Sequence, residues 1–172
     1  FYKFNKRVKY RFKQSNLFLC CINCVYFRKL MTNNTQGLVY VTRKLHFNAA
    51  HQLYNPNWSS EKNFEVFGKC ANCNWHGHNF DLYVTLKGYP DPETGMVYDL
   101  KRLKDEVEER IISKLDHRNI NLDVDFMQGK MASIEHMAIG IWNELLKFIP
   151  AELLHCVKLS ETARQYVEYY GE

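Results

Sequence analysis

The chain has 172 residues, enough for one domain with its own core, and 46% of them are hydrophobic. Its formal charge of +4 is unevenly distributed, because residues 1–30 contain eight Lys and Arg and no acidic residue. The remainder has 15 basic and 19 acidic residues, a net charge of −4, which argues against a nucleic-acid-binding surface on the folded body.

Residues 1–30 are predicted to be a tail outside the domain. The sequence starts at Phe1 and its first methionine is Met31, so we expect translation to begin at Met31. A targeting segment is the alternative, with the apolar run 17–22 behind basic residues. That run is interrupted by Asn23, lacks a small-residue cleavage site after it, and is too short to span a bilayer.

The cysteines favour a reducing compartment. Three of the six lie in the tail, which leaves Cys70, Cys73 and Cys156 in the body. Three cysteines do not make a disulfide framework, and no convincing signal peptide accompanies them. We therefore expect a cytoplasmic protein, not attached to a membrane, whose thiols are free or bind metal.

The first half of the body has the alternation of strands. Residues 39–51 are predicted to form a strand that carries His51 at its end. Residues 54–66 lack a sustained apolar period and are predicted to be a surface loop that could act as a lid. A second strand is expected from about His78 to Gly88, followed by a turn at 90–95.

The second half of the body combines helices and strands. A short strand is expected at 96–100, and apolar residues at helical spacing predict a helix over 101–115. A second helix is predicted to begin after an N-cap at Ser133 and to stop at Pro150. Two closing strands are expected at 156–162 and 165–170.

This order of elements predicts an α+β domain over residues 38–172. Strands come first and last, with two helices between them, and neither repeats nor low-complexity linkers interrupt the pattern. An antiparallel sheet covered by two helices is the arrangement that buries these apolar faces.

Three histidines predict a metal site. His76 and His78 are two residues apart on a strand, so their imidazoles leave the same face, and His51 arrives at the end of a neighbouring strand. Three imidazoles with an open fourth position are typical of catalytic zinc. The alternative is a closed structural zinc held by Cys70, Cys73 and the 76–78 pair, which would leave His51 spare and do no chemistry.

Two further groups carry candidate chemistry. Asp116 and His117 follow a predicted helix end, where a carboxylate beside an imidazole makes a general acid or base, or else merely caps the helix. Glu161 lies in a predicted strand. It would either pair with a guanidine-like ring edge through two parallel hydrogen bonds or lie on the exposed face of the strand.

The motifs that surround these residues occur in a fixed order. They are Phe-Asn-Ala-Ala-His at 47–51, Phe-Gly-Lys-Cys at 67–70, His-Gly-His-Asn at 76–79, Leu-Asp-His-Arg-Asn at 115–119, Ser-Ile-Glu-His at 133–136 and Glu-Thr at 161–162. Together they resemble the family of 6-pyruvoyltetrahydropterin synthases and 6-carboxytetrahydropterin synthases. The resemblance runs from about Val39 to the C-terminus.

The resemblance implies a fold and an assembly. The expected architecture is the tunnelling fold (T-fold), an antiparallel four-stranded sheet with two helices on one face. The sheets of such subunits join into an oligomeric barrel, as a homotrimer or homohexamer with active sites at the subunit interfaces. The Asp116–His117 pair is then expected to reach the site of a neighbouring subunit.

The resemblance also assigns roles to individual residues. It implies that His51, His76 and His78 bind Zn²⁺, that Cys70 is the catalytic thiolate, assisted by Zn²⁺ and Lys69, and that Asp116 with His117 transfers protons. The pterin ring would bind to the set Glu161, Glu135 and Ser133.

Two products are compatible with the resemblance, and both start from 7,8-dihydroneopterin triphosphate. The five residues between Cys70 and His76 favour 6-pyruvoyltetrahydropterin with loss of triphosphate. The segments at 92–95 and 97–100 are instead typical of bacterial relatives that form 6-carboxytetrahydropterin for queuosine biosynthesis and release acetaldehyde. A zinc-stabilised binding protein without catalysis is the alternative of another class.

The sequence departs from the family pattern at several positions. Cys73 stands where Pro is usual, so a second thiol lies near the expected site and could compete for metal or oxidise with Cys70. Ile134 and His136 replace the expected Thr and Asn, and the Ala-Arg-Gln stretch at 163–165 replaces an acidic or amide one. These changes affect the expected pterin contacts next to Glu135 and Glu161.

Overall fold

The computed structural model describes residues 37–172, so the predictions of a tail at 1–30 and a start at Met31 lie outside the described residues. The elements in chain order are β1 (Val39–His51), α1 (Ser60–Phe67), β2 (His76–Gly88), α2 (Leu100–Val107), α3 (Ser113–Leu115), β3 (Arg118–Asn119), α4 (Ile134–Leu145), β4 (Leu154–Thr162) and β5 (Gln165–Tyr169). A 3₁₀ turn follows α1 at Gly68–Ala71, and a π-helical turn joins α2 to α3 at Glu108–Ile112. The α+β prediction is confirmed.

The strands form one sheet in the order β3-β1-β2-β4-β5. All neighbours are antiparallel except β1 and β3. The four-strand prediction omits β3, which pairs with β1 through only two residues. This strand forms because the chain after α3 passes the end of β1, where His117 N donates to Asn48 O at 2.6 Å and Ile120 N donates to Ala50 O at 2.8 Å.

The hydrophobic core lies between one face of the sheet and the helices. Alternate residues of β1, β2 and β4 are buried there, and α2 contacts β1 while α4 contacts β4 and β5. The buried side chains of α2 and its continuation recur at helical spacing, as Leu103, Val107, Ile111 and Leu115. The two predicted helices and four of the predicted strands are therefore present, within a residue or two of their expected bounds except that α4 ends at Leu145, five residues before Pro150.

The loop prediction for 54–66 is wrong in part, because α1 lies within it. Ser59 caps this helix by accepting a hydrogen bond from Lys62 N, and the Gly68 N–H closes its other end onto Phe64 O. Its buried residue is the polar Asn63, whose amide bonds the backbone of the preceding turn. A helix that buries an amide instead of an apolar stripe leaves no apolar period in the sequence.

The short strand predicted at 96–100 is also wrong. Residues 97 and 98 form a bend, and Asp99 then caps α2 by accepting hydrogen bonds from Lys101 N and Arg102 N. The turn predicted at 90–95 is present, since the Asp91 carboxylate accepts from Glu93 N and Thr94 N.

None of the helices of residues 37–172 combines the length and apolar character needed to cross a bilayer.

Candidate active site

The pairing of β1 with β2 brings the three histidines together. His51 lies opposite His76, and His78 lies opposite Ala49 in the same register. The ring centroids are 4.5 Å apart for His51 and His76, 5.3 Å for His51 and His78, and 5.0 Å for His76 and His78. A Cβ on Gly77 would lie 3.1 Å from Ala49 O, so glycine lets the two strands approach at this point.

His51 offers a defined nitrogen to the cluster. Its side chain is 2% exposed, and its Nδ1 donates to the Ala132 carbonyl at 2.8 Å, since a carbonyl can only accept. Because Nδ1 bonds this carbonyl, Nε2 is the ring nitrogen left to face the cluster, the orientation that metal-binding imidazoles adopt. Within residues 37–172, His51 Nε2 and both ring nitrogens of His76 are buried without a hydrogen-bond partner.

Glu161 of β4 completes a group that could hold a metal ion. Its Oε1 lies 3.1 Å from His51 Nε2 and 3.3 Å from His78 Nε2, and one atom from each of the four residues falls within 4.8 Å of the others. Burial lowers the pKa of His76 and His78, which keeps their rings neutral. The contact with His51 lowers the pKa of Glu161 against the opposing effect of burial. Neutral imidazoles and an ionised carboxylate are the ligand forms that a divalent cation requires.

Cys70 lies beside this group, in the 3₁₀ turn that follows α1. It lines a cavity of about 560 Å³ together with His51, Ser133, Glu135 and Glu161. The residues expected to bind the pterin ring therefore share one cavity with the expected thiolate. Burial raises the pKa of Cys70, and the Glu161 carboxylate raises it further. Lys69, its neighbour in the sequence, does not lower the pKa of this thiol.

Cys73 lies outside the metal-binding group. It is exposed and lines a separate cavity of about 870 Å³ with Lys69 and Phe64. Because the described group contains His51 and neither thiol, the geometry favours the open three-histidine site over the closed Cys70–Cys73 alternative. The predicted metal-binding histidines all meet, whereas the two thiols do not join them.

Asp116 and His117 form a pair at the opposite edge of β1. His117 Nδ1 lies 2.9 Å from Asp116 Oδ2, and Asp116 Oδ1 accepts from Asn48 N at 2.8 Å. The His117 side chain is 82% exposed, and its backbone has a φ of +57°, which is uncommon for a residue other than glycine. Neither residue lines the cavity of Cys70 and Glu161 in the same chain.

The chain matches a family model described as 6-pyruvoyl tetrahydropterin synthase over residues 40–172. The chain belongs to the 6-pyruvoyl tetrahydropterin synthase family. All the motif residues discussed above fall within this range, and the matched range covers every described helix and all of the sheet except Val39.

Individual relatives of this family support the match. The chain is 44% identical over 132 residues to a 6-pyruvoyl tetrahydrobiopterin synthase of Pongo abelii and 43% identical to that of Homo sapiens. Each alignment covers 77% of this chain and 91% of the relative. The solved 6-pyruvoyl tetrahydropterin synthase of Caenorhabditis elegans superposes with a TM-score of 0.75 at 37% identity, over 80% of this chain and 98% of that one.

Two features of the site have no signal in a single sequence. The acceptor that orients His51 is a backbone carbonyl, at Ala132, and any residue type supplies one. The donor that holds Asp116 is likewise a backbone N–H, at Asn48. Their roles follow only from the strand pairing and from the path of the chain after α3.

Proposed function

We propose that the chain is a zinc-dependent lyase that converts 7,8-dihydroneopterin triphosphate to 6-pyruvoyltetrahydropterin and triphosphate. The observation that carries this proposal is a group of three histidines and Glu161, two of whose members, His51 and Glu161, line one cavity with Cys70 in a member of this family. Relatives at 37–44% identity bear the name of the 6-pyruvoyl enzyme, which favours that product over the 6-carboxy product of queuosine biosynthesis.

The residues fit a zinc ion because His51 Nε2 and both ring nitrogens of His76 are buried without a hydrogen-bond partner among the described residues, and His78 offers a further nitrogen within 4.8 Å. His51, His76 and His78 would hold it, with Glu161 within reach. A zinc ion there would supply Lewis acidity to the side-chain hydroxyls of the substrate and so acidify the adjacent C–H bonds.

Cys70 is proposed to remove a proton from the substrate side chain. It faces the cavity beside the histidines and is only partly buried, so a thiolate there is accessible. The raised pKa of the thiol must be offset before it can act as a base at neutral pH, and a nearby cation favours the thiolate.

Glu161 and Glu135 are the groups suited to the guanidine-like edge of a pterin ring. A carboxylate accepts two parallel N–H bonds from such an edge. Both line the cavity, as does Ser133, the N-cap of α4. Holding the ring there would orient the side chain toward Cys70.

The proton-transfer pair is proposed to come from a second copy of the chain. His117 is exposed, Asp116 is partly buried, and both lie outside the cavity of their own chain, so a barrel assembled through the sheets as a trimer or hexamer would have to supply them. In that position His117 would move protons as triphosphate leaves, with Asp116 stabilising the charged imidazole.

The cytoplasm is proposed as the compartment, because the body thiols are free.

Replacement of Cys70 by Ala separates catalysis from a purely structural metal site. The proposal predicts that Cys70→Ala binds zinc like the wild type and loses turnover by about 100-fold or more, the usual contribution of a positioned acid or base. Metal content measured by atomic emission and turnover measured by product formation give the two readouts. Loss of zinc together with unfolding would support a structural site instead.

A further inference from the structure

The cavity beside the histidines has one strong cation in its lining, Arg164. This residue lies in the turn between β4 and β5, three positions after Glu161. The other charged side chains of the lining are the carboxylates of Glu135 and Glu161. No other Lys or Arg of residues 37–172 lines this cavity.

The turn holds the Arg164 backbone in a fixed place. Thr162 Oγ1 accepts hydrogen bonds from Arg164 N and from Gln165 N, both at 3.2 Å. Thr162 also pairs with Gln165 across the β4–β5 hairpin. The guanidinium is therefore attached to a closed turn at the mouth of the cavity, while its side chain is exposed.

The charge of Arg164 is available to a ligand. Its guanidinium forms no ion pair with any carboxylate of residues 37–172, whereas Lys44, Lys101 and Arg102 are each paired with a neighbouring acid. The sequence from residue 31 onward has a net charge of −4, and two carboxylates line the cavity. Apart from the proposed zinc ion, Arg164 is therefore the one cation among the lining residues that could receive a highly anionic ligand.

We propose that Arg164 binds the triphosphate group of the substrate at the mouth of the cavity and so selects the phosphorylated pterin over the free one. A guanidinium donates parallel hydrogen bonds to phosphate oxygens and keeps its charge at any working pH. Glu161 and Arg164 would then hold opposite ends of one ligand, the ring edge and the triphosphate. The inference rests on the proposed function for its substrate.

Kinetics of the zinc-loaded full chain test the substrate side of this inference. Arg164→Gln is expected to raise KM for 7,8-dihydroneopterin triphosphate about tenfold or more, the usual value of a hydrogen bond to a charged group. Arg164→Lys should recover part of the loss. Arg102→Gln, which removes the same charge from an exposed position on α2, should keep the wild-type KM. An unchanged KM in Arg164→Gln would overturn the inference.

Calorimetric titration with inorganic tripolyphosphate tests the same contact without turnover. The wild type and Arg102→Gln are expected to bind it alike, and Arg164→Gln about tenfold more weakly. If tripolyphosphate only extracts zinc, it does so equally from the wild type, Arg102→Gln and Arg164→Gln. Equal binding curves for the three proteins would therefore contradict the role of Arg164. A wild type that binds tripolyphosphate through Arg164 but shows no turnover contradicts the proposed function alone.

Discussion

His51 shows what a single residue needs in order to serve this site. Its position at the end of β1 is predictable, because alternation places it on the core face with Phe47 and Ala49. Its orientation is not, because the acceptor is the Ala132 carbonyl, 81 positions further along the chain. Residue type and spacing identify the ligand, and tertiary structure selects the nitrogen that it offers.

Glu161 shows the limit of role assignment from sequence. Its place in a strand and its carboxylate are predictable, and both fit a pterin contact. The structure adds that Oε1 lies within 3.3 Å of two histidine nitrogens, so the same carboxylate is also within reach of a metal. This proximity depends on the β2–β4 register, which a strand pattern alone does not fix.

Asp116 gives a test of the pair at low pH. Its pKa is held below its ordinary value of 3.8, chiefly by the hydrogen bond from Asn48 N and also by His117. A carboxylate whose pKa is lowered in the folded state stabilises the fold at pH values above its ordinary pKa. That stabilisation is lost as the pH falls through the lowered pKa. The free energy of unfolding of the wild type minus that of Asp116→Asn should therefore shrink below about pH 4.

Denaturant titrations of both proteins between neutral pH and the acid limit of folding measure this difference. Comparing the two proteins at each pH cancels protonation of the metal-binding histidines, which both share. A difference that stays constant across the range would contradict the role of the Asn48 hydrogen bond.

At the scale of elements, strands and helices with apolar faces are predictable, and α1 is not. Strands β1 and β2 and helix α4 alternate or repeat apolar residues toward one core. Helix α1 instead buries Asn63 and exposes Phe64 and Val66, so its signal lies in the caps at Ser59 and Gly68. The strand predicted at 96–100 fails for a related reason, because the Asp99 cap begins a helix there.

The close approach of β1 and β2 predicts an effect of Gly77→Ala. The added Cβ would lie 3.1 Å from Ala49 O, so the strands must separate where His76 and His78 leave β2. We expect zinc affinity to fall about 10- to 100-fold, the range seen when the support of a metal ligand is lost.

Competition with a chromophoric chelator measures this affinity. Gly37→Ala is the control, because a Cβ there meets nothing within 4 Å, and it should bind zinc like the wild type. Equal affinity in Gly77→Ala would show that the strand spacing does not position the histidines.

At the scale of the whole molecule, one chain contains every proposed group but does not bring all of them together. The three histidines form a group with Glu161, and His51 and Glu161 line the cavity of Cys70, whereas neither Asp116 nor His117 lines that cavity. Sequence motifs identify both sets, because each has its own local pattern. Their separation in space is visible only in the fold, and it is the reason for proposing an assembly.

Mixed assemblies test whether two copies share a site. Cys70→Ala and His117→Gly should each be inactive alone, and glycine suits the positive φ at 117. If the pair acts on a neighbouring copy, equal amounts of the two variants, unfolded and refolded together, should recover about one quarter of the wild-type activity, by random assembly of a two-chain site. Mixtures that stay inactive while forming oligomers would place the pair in its own chain.

The proposed reaction can be tested by identifying its products. Zinc-loaded protein incubated with 7,8-dihydroneopterin triphosphate is expected to release triphosphate and 6-pyruvoyltetrahydropterin in equal amounts, without acetaldehyde. Chromatography of the pterins and an enzymatic assay for acetaldehyde give both readouts. A 6-carboxy product with acetaldehyde, or intact substrate after prolonged incubation with the zinc-loaded protein, would contradict the account.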